Sequence, residues 1–214
     1  MVQKPALHVP PSAYDVHPGV AMVQKFVAEL PGKTGKILEQ WGELVDAQEF
    51  ETAAEKRAFL KAKHGFGTNG AAWVMEYTDG QPTWDADPES YLACAARFVD
   101  DMYAGGKEHL RPVFEKLLEV GRGLGDDVKV CPCKTMVPLY RSRVFAEIKP
   151  STRTRLDLGL ALAPDVPEQG KLKRNEQRIK KGDRLTHVIA LEKVGDVTAE
   201  VRTCLTAAYA AVGA

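Results

Sequence analysis

Leucine recurs at every second position through Leu156, Leu158, Leu160 and Leu162, with Arg155 and Asp157 between them. A period of two places alternate side chains on opposite faces, so a strand over 154–162 with one buried and one wetter face is expected. Shorter alternating runs predict further strands near 127–131, 134–140, 143–149 and 185–191. Arg141-Ser142 is short enough to serve as a hairpin connection, and Pro138, which has no N–H to give a ladder, predicts an edge position or a bulge. Elsewhere the apolar period lengthens to that of a helix. Ile37, Leu38, Trp41, Leu44 and Val45 share one helical face, as do Tyr91, Leu92, Ala95, Phe98, Val99 and Met102. Val113, Phe114, Leu117 and Leu118 mark a second helix of the latter half, and Val197, Val201, Leu205, Ala208 and Val212 a last one beginning near Asp196. Helices first, then an antiparallel sheet with flanking helices, define an α+β chain.

Punctuation along the chain divides these elements. Thr52-Ala-Ala-Glu55 reads as a capping box at a helix start, and His64-Gly65 as its stop. Asp87-Pro88 opens a helix in the favoured N-cap and N1 order, while Gly121 and Gly123 read as a helix stop. The resulting organisation is a loose N-terminal tail over 1–17, a small helical module over 18–78, a turn-rich linker over 79–88 and an α+β domain over 89–214.

The helical module carries Lys33-Thr-Gly-Lys36, Trp41 soon after, Leu60-Lys-Ala-Lys-His-Gly65 and a small-residue helix start at Asn69-Gly-Ala-Ala72. In order and spacing it resembles the domain-of-unknown-function family 4287 over about residues 18–78. Thr68 and Asn69 stand where that family often has a second His. The later half carries Val128-Lys-Val130, Lys134-Thr135, a hairpin into Val144-Phe-Ala-Glu-Ile-Lys-Pro150, the alternating leucines, Thr186-His187 and Ala207-Ala-Tyr209. Over about residues 90–213 it resembles the domain-of-unknown-function family 5655. The resemblance implies a fold and brings no established activity with it.

Composition changes the picture little: 44% apolar and 27% charged residues fit a folded chain. The apolar runs fall short of the roughly 20 residues of a membrane span. With no apolar leader core near the N-terminus, a cytoplasmic protein without a membrane partner is expected. Charge changes it more. Net charge is zero, yet residues 1–104 hold 9 Lys/Arg against 15 Asp/Glu, and residues 105–214 hold 20 against 14. Halves of −6 and +6 suggest complementary docking surfaces, within one chain or in a homo-oligomer, or an anionic partner for the basic half.

Four cysteines, at 94, 131, 133 and 204, read as reduced thiols. Cys131-Pro-Cys133 would share a strand face, but a metal needs more ligands than that pair, so no metal and no cofactor is expected. Gly-x-Gly-x-x-Gly, Walker, Gly-x-Ser-x-Gly and His-Glu-x-x-His motifs are all missing. A Cys133–His187 nucleophile pair requires neighbouring strands.

Two groups of polar residues remain as candidate sites. Lys134, Tyr140, Arg141, Arg143, Glu147, Arg155 and His187 belong to the strand segments, and Lys134, Tyr140, Glu147 and Arg155 would share a sheet face in a suitable register. They could bind a small anion, act as an unrecognised enzyme site, or simply form charge pairs such as Glu147–Arg155. The long loop from Pro164 to Arg184 carries Lys171, Lys173, Arg174, Arg178, Lys180, Lys181 and Arg184 without an aromatic residue. Phosphate-backbone contact is then available to it but base stacking is not. The reading that follows is a binding or accessory protein, rather than an enzyme, for nucleic-acid backbone or a small phosphate or carboxylate compound. An enzyme and a protein-interaction module are the alternatives.

Overall fold

The computed structural model describes residues 13–79 and 87–213, which divide into two compact units. One unit is His17–Tyr91; the other joins residues 13–16 to residues 92–213. Residues 80–86 of the expected linker lie outside the described residues, as do residues 1–12 of the expected tail.

The first unit holds α1 (Pro18–Thr34), α2 (Leu38–Asp46), α3 (Ala53–Ala58) with a π turn over Phe59–Lys63, and α4 (Thr68–Thr78). His17 caps α1, its Nδ1 accepting the N–H of Gly19 at 2.9 Å, and Pro18 occupies the first turn, where its missing N–H is harmless. Gly35 turns the chain out of α1 at φ 73°, a conformation that favours glycine. Thr34 next to it accepts the indole N–H of Trp41 at 2.8 Å. The Thr-Gly-Lys…Trp order thus has a structural purpose: it fastens α2 to the end of α1. Trp41, Val45, Leu60, Ala71 and Val74 form the core with Leu30 and Phe66. A Cβ on Gly70 would stand 2.9 Å from the Phe26 ring, which accounts for the small residues at the start of α4. The capping box is half formed. Thr52 accepts the N–H of Glu55 at 3.2 Å, but the Glu55 carboxylate takes the N–H of Glu51, one residue earlier than expected.

α5 (Pro88–Met102) begins in the first unit and runs on into the second from Leu92, followed there by a 3-10 turn over Gly105–Leu110 and α6 (Arg111–Arg122). Gly123 ends α6 in right-handed geometry at φ −69°, and Gly121 lies inside the helix instead of stopping it. A Cβ there would stand 2.8 Å from Leu139 Cδ1, so the glycine lets α6 lie close on the sheet. The sheet comprises β1 (Lys129–Val130), β2 (Val137–Tyr140), β3 (Val144–Lys149), β4 (Leu156–Leu160), β5 (Leu172–Arg174) and β6 (His187–Leu191). All pairs are antiparallel, in the order β1-β2-β3-β4-β6-β5. Pro138 is inside the sheet, and the register shifts at the next step, Leu139/Tyr140, giving the bulge that proline predicts.

Two segments differ from expectation. The loop over 164–184 contains β5 and a five-residue helix, α7 (Glu176–Lys180), whose start is capped by Asn175 Oδ1 accepting the N–H of Arg178. Residues 13–16 of the expected tail lie along β1: Asp15 N–H donates to the Val130 carbonyl, and the Asp15 carboxylate accepts the Val130 N–H, both at 2.8 Å. That contact covers an otherwise open sheet edge.

Register decides the two faces. Ile148, Leu158, Ile189 and Leu172 stand opposite one another, and Leu156 faces Leu191; all six are buried. On the reverse face Glu147, Gly159 and Val188 are aligned, with Lys149 opposite Asp157 beside them. A 3-10 turn over Val194–Asp196 leads to α8 (Ala199–Ala211), which buries Val201, Leu205 and Ala208 and contacts β3 and β4.

Asp196 fixes that entry. It accepts the backbone N–H groups of Glu192 and Lys193 and the ammonium of Lys171 at 2.7 Å. The Lys171 bond, and then the backbone bonds, hold its carboxyl down at about 2. A folded value below the unfolded one of about 3.9 means that this stabilisation is complete above pH 4 and disappears as pH falls toward 2. Asp196→Asn is therefore expected to lower stability at pH 6 and to flatten the decline between pH 4 and 2, as read by thermal unfolding at a series of pH values. An unchanged acid limb would assign the decline to other carboxylates.

Candidate functional site

The reverse face of the sheet and the turn after β3 build a basic concavity. Lys149 ends β3, Pro150 turns the chain, and Arg153 follows on an exposed bend. Lys134 and Thr135 approach from the segment before β2, and Lys107 comes from the 3-10 turn, where its ammonium donates to the Pro150 carbonyl at 3.1 Å. These residues line a half-open cleft of about 540 Å³ with Asp101 as the only carboxylate in its wall. Among the described residues no carboxylate lies within ion-pair distance of Lys134, Lys149 or Arg153. Four cations against one acid give the cleft a positive field, strengthened by the low-dielectric wall behind it.

Lys149 also lines a second, smaller cavity of about 130 Å³. Glu147, Ser151, Asp157, Asn175 and Arg178 give it a mostly polar wall, which Gly159, His187 and Val188 complete. Glu147 is only 8% exposed and receives Arg178 Nη2 at 3.0 and 3.4 Å. Asp157 receives Arg155 Nε at 2.9 Å. The expected Glu147–Arg155 pair is thus replaced by two others, because β4 turns Arg155 toward its own strand neighbour while α7 brings Arg178 over the sheet.

The remaining strand candidates are dispersed. Tyr140 is half-buried at the bulge, and burial raises its hydroxyl to about 12. Arg141 donates to Asp127 at 2.7 Å and lies 4.3 Å from the ring centre of Tyr209, whose hydroxyl donates to the same carboxylate at 2.6 Å. Those two bonds hold the Asp127 carboxyl below the usual range. This triad fastens the β2–β3 hairpin to the end of α8. Arg143 is exposed and lines a separate cavity of about 300 Å³ with Arg184, Leu162 and Val212. His187 borders the smaller cavity but is 1% exposed, opposite Leu160, with Nδ1 2.8 Å from Thr186 Oγ1 and Nε2 3.0 Å from the Val166 carbonyl. A Cys133–His187 pair is not available. Cys133 lies just beyond β1 and His187 on β6, with β2, β3 and β4 between, some 15–20 Å at about 4.8 Å per strand. Cys131 and Cys133 both follow the end of β1, so no strand face is shared, and burial pushes the Cys131 thiol up to about 12. Among the described residues no group of three potential ligands gathers at a metal-binding distance.

The basic series of the expected loop is mostly engaged within the fold. Lys171 pairs with Asp196, Lys173 with Glu168, Arg174 with Glu176 and Arg178 with Glu147. Lys180, Lys181 and Arg184 are exposed and have no ion pair among the described residues. Lys107, Lys149 and Arg153 are the site residues that strand reasoning passed over. Lys149 had a signal, since period two puts it on the face of Glu147; Lys107 had none, arriving from 43 positions away.

Fold and cleft together define a class: an α+β domain, preceded by a helical module, with an antiparallel sheet and a basic concavity at the end of its third strand. Residues 99–211 match the family Domain of unknown function (DUF5655), more than half of the chain, and the chain belongs to that family. Residues 22–80 match a second, Domain of unknown function (DUF4287). Neither a curated protein nor a solved structure shows significant similarity. Among the described residues no helix is long and apolar enough to cross a membrane.

Proposed function

We propose that the chain is a non-enzymatic binding or accessory protein whose α+β domain holds a small phosphate-bearing anion in the cleft of Lys107, Lys134, Thr135, Lys149 and Arg153. The observation that carries this reading is the four cations in a ligand-sized cavity, none of them in an ion pair among the described residues. Arg153 supplies the fork that suits phosphate oxygens, and the lysines supply point charges around it. The volume falls within the usual range for small-molecule sites. Isothermal titration of the full chain with inorganic phosphate and pyrophosphate, at low and moderate salt, tests it. Binding that weakens about tenfold or more in Lys149→Ala/Arg153→Ala is expected. Saturation unaffected by that double substitution, or no binding at low salt, would refute the cleft.

A second reading rests on Lys180, Lys181 and Arg184, which are exposed and free to meet nucleic-acid backbone. Salt-sensitive binding of labelled DNA or RNA, lost in Lys180→Glu/Lys181→Glu but kept in the cleft variant, would favour it.

A further inference from the structure

The basic cleft and the smaller polar cavity adjoin. Lys149 lines both, and the consecutive residues Pro150 and Ser151 wall one each. Lys149 and Asp157 are opposite one another on β3 and β4, so the boundary between the cavities is a cross-strand pair of the same sheet face. The two halves differ in chemistry. The cleft is cationic. The smaller cavity presents carboxylate oxygens of Glu147 and Asp157, the hydroxyl of Ser151, and the side-chain amide of Asn175, whose oxygen is used by the Arg178 N–H while no bond to its NH₂ is described. Glu147 is more than nine-tenths buried and lines this cavity together with its Arg178 partner. Its floor is open because Gly159 has no side chain; no Phe, Tyr or Trp lines either cavity, and the imidazole of His187, at the edge of the smaller one, has both ring nitrogens within hydrogen-bond distance of Thr186 Oγ1 and the Val166 carbonyl.

We infer that the two cavities form one bipartite site for a phosphorylated sugar or polyol, with the phosphate in the cleft and the hydroxyl groups in the polar cavity. This inference rests on the proposed anion-binding function and assigns the rest of the ligand. Carboxylates and an amide accept and donate to hydroxyl groups in the mixed pattern a polyol requires, and buried polar groups of this kind discriminate strongly against a ligand that leaves them unpaired. A nucleobase would find no Phe, Tyr or Trp ring to stack on.

Gly159 provides the test. Its backbone is not in the left-handed region, and a Cβ there would make ordinary contacts of 3.6 Å with Glu147 Cβ and 3.8 Å with Arg178 Nη1. Gly159→Val should fill the polar cavity and leave the cleft intact. Titrations of the full chain with inorganic phosphate, glycerol 3-phosphate, ribose 5-phosphate, glucose 6-phosphate, unphosphorylated glucose and adenosine monophosphate give the readout. At least one of the three polyol or sugar phosphates is expected to bind about tenfold tighter than inorganic phosphate. Gly159→Val is expected to abolish that advantage while inorganic phosphate binds as before, and unphosphorylated glucose should not bind alone. Ser151→Ala, which leaves the sheet untouched, should reduce the same advantage and serves if Gly159→Val fails to fold. If the sugar phosphates match inorganic phosphate, or the adenosine compound outbinds them, the bipartite site falls and the cleft stands. If no phosphate binds, both fall.

Discussion

Arg178→Ala is expected to lower the stability of the α+β unit by about 2–3 kcal/mol, because it strands a buried carboxylate. Glu147 sits in mid-strand with its side chain 10% exposed, and Arg178 supplies both of its described side-chain hydrogen bonds. The two partners reach each other from different elements, 31 positions apart, so the pair also holds α7 against the sheet. Removing one partner and removing both have different consequences. Leaving a single charge in a low-dielectric site incurs its full desolvation cost, whereas replacing the pair by apolar groups of similar size removes that cost along with the attraction. Glu147→Met/Arg178→Met should therefore recover most of the loss seen in Arg178→Ala. Urea unfolding followed by circular dichroism measures both. If Arg178→Ala unfolds within about 0.5 kcal/mol of the parent, α7 does not shield Glu147 from water and the polar cavity is open solvent.

The contrast between this pair and the alternating leucines shows what the sequence makes legible. The strand cores follow from period two, a local property, and Leu156, Leu158 and Leu160 are buried as that period requires. The helices follow equally well where an apolar stripe is long, as from Tyr91 to Met102, and Pro138 foretells the bulge through its missing N–H. Short elements are a different matter. β5 has three residues and α7 five, too few for either period to rise above a charged background, and α7 depends on its Asn175 cap and on Arg178 reaching the sheet. The candidate site was harder still. Lys134 and Glu147 are recognisable as polar residues a core would not need, but their partners are set by topology. Lys107 reaches Pro150 from the helical segment, and Arg178 displaces Arg155 as the partner of Glu147 only because β5 and β6 bring α7 back across β4. Pairing by nearest charge in sequence fails wherever a crossover supplies a closer one.

Leu158→Ala is expected to cost about 3 kcal/mol, and Leu162→Ala less than about 1 kcal/mol, although the leucine alternation treats them alike. Leu158 is at the centre of β4, fully buried, directly opposite Ile148 on one side and Ile189 on the other. Truncating it leaves a void between three strands that are held by their ladders and cannot close in, so lost transfer free energy and lost packing contacts add. Leu162 continues the alternation but lies two residues beyond the end of β4, half-buried, where its carbonyl accepts the Thr186 hydroxyl at 2.7 Å. That contact belongs to the backbone and survives the substitution, and the side chain already meets solvent at the edge of the cavity it shares with Arg143 and Arg184. Urea midpoints of the two variants, measured side by side, separate a strand that stops at Leu160 from one that runs the full length of the pattern. Equal losses would mean that β4 extends through Leu162 in solution and that the turn toward β5 begins later than residue 161.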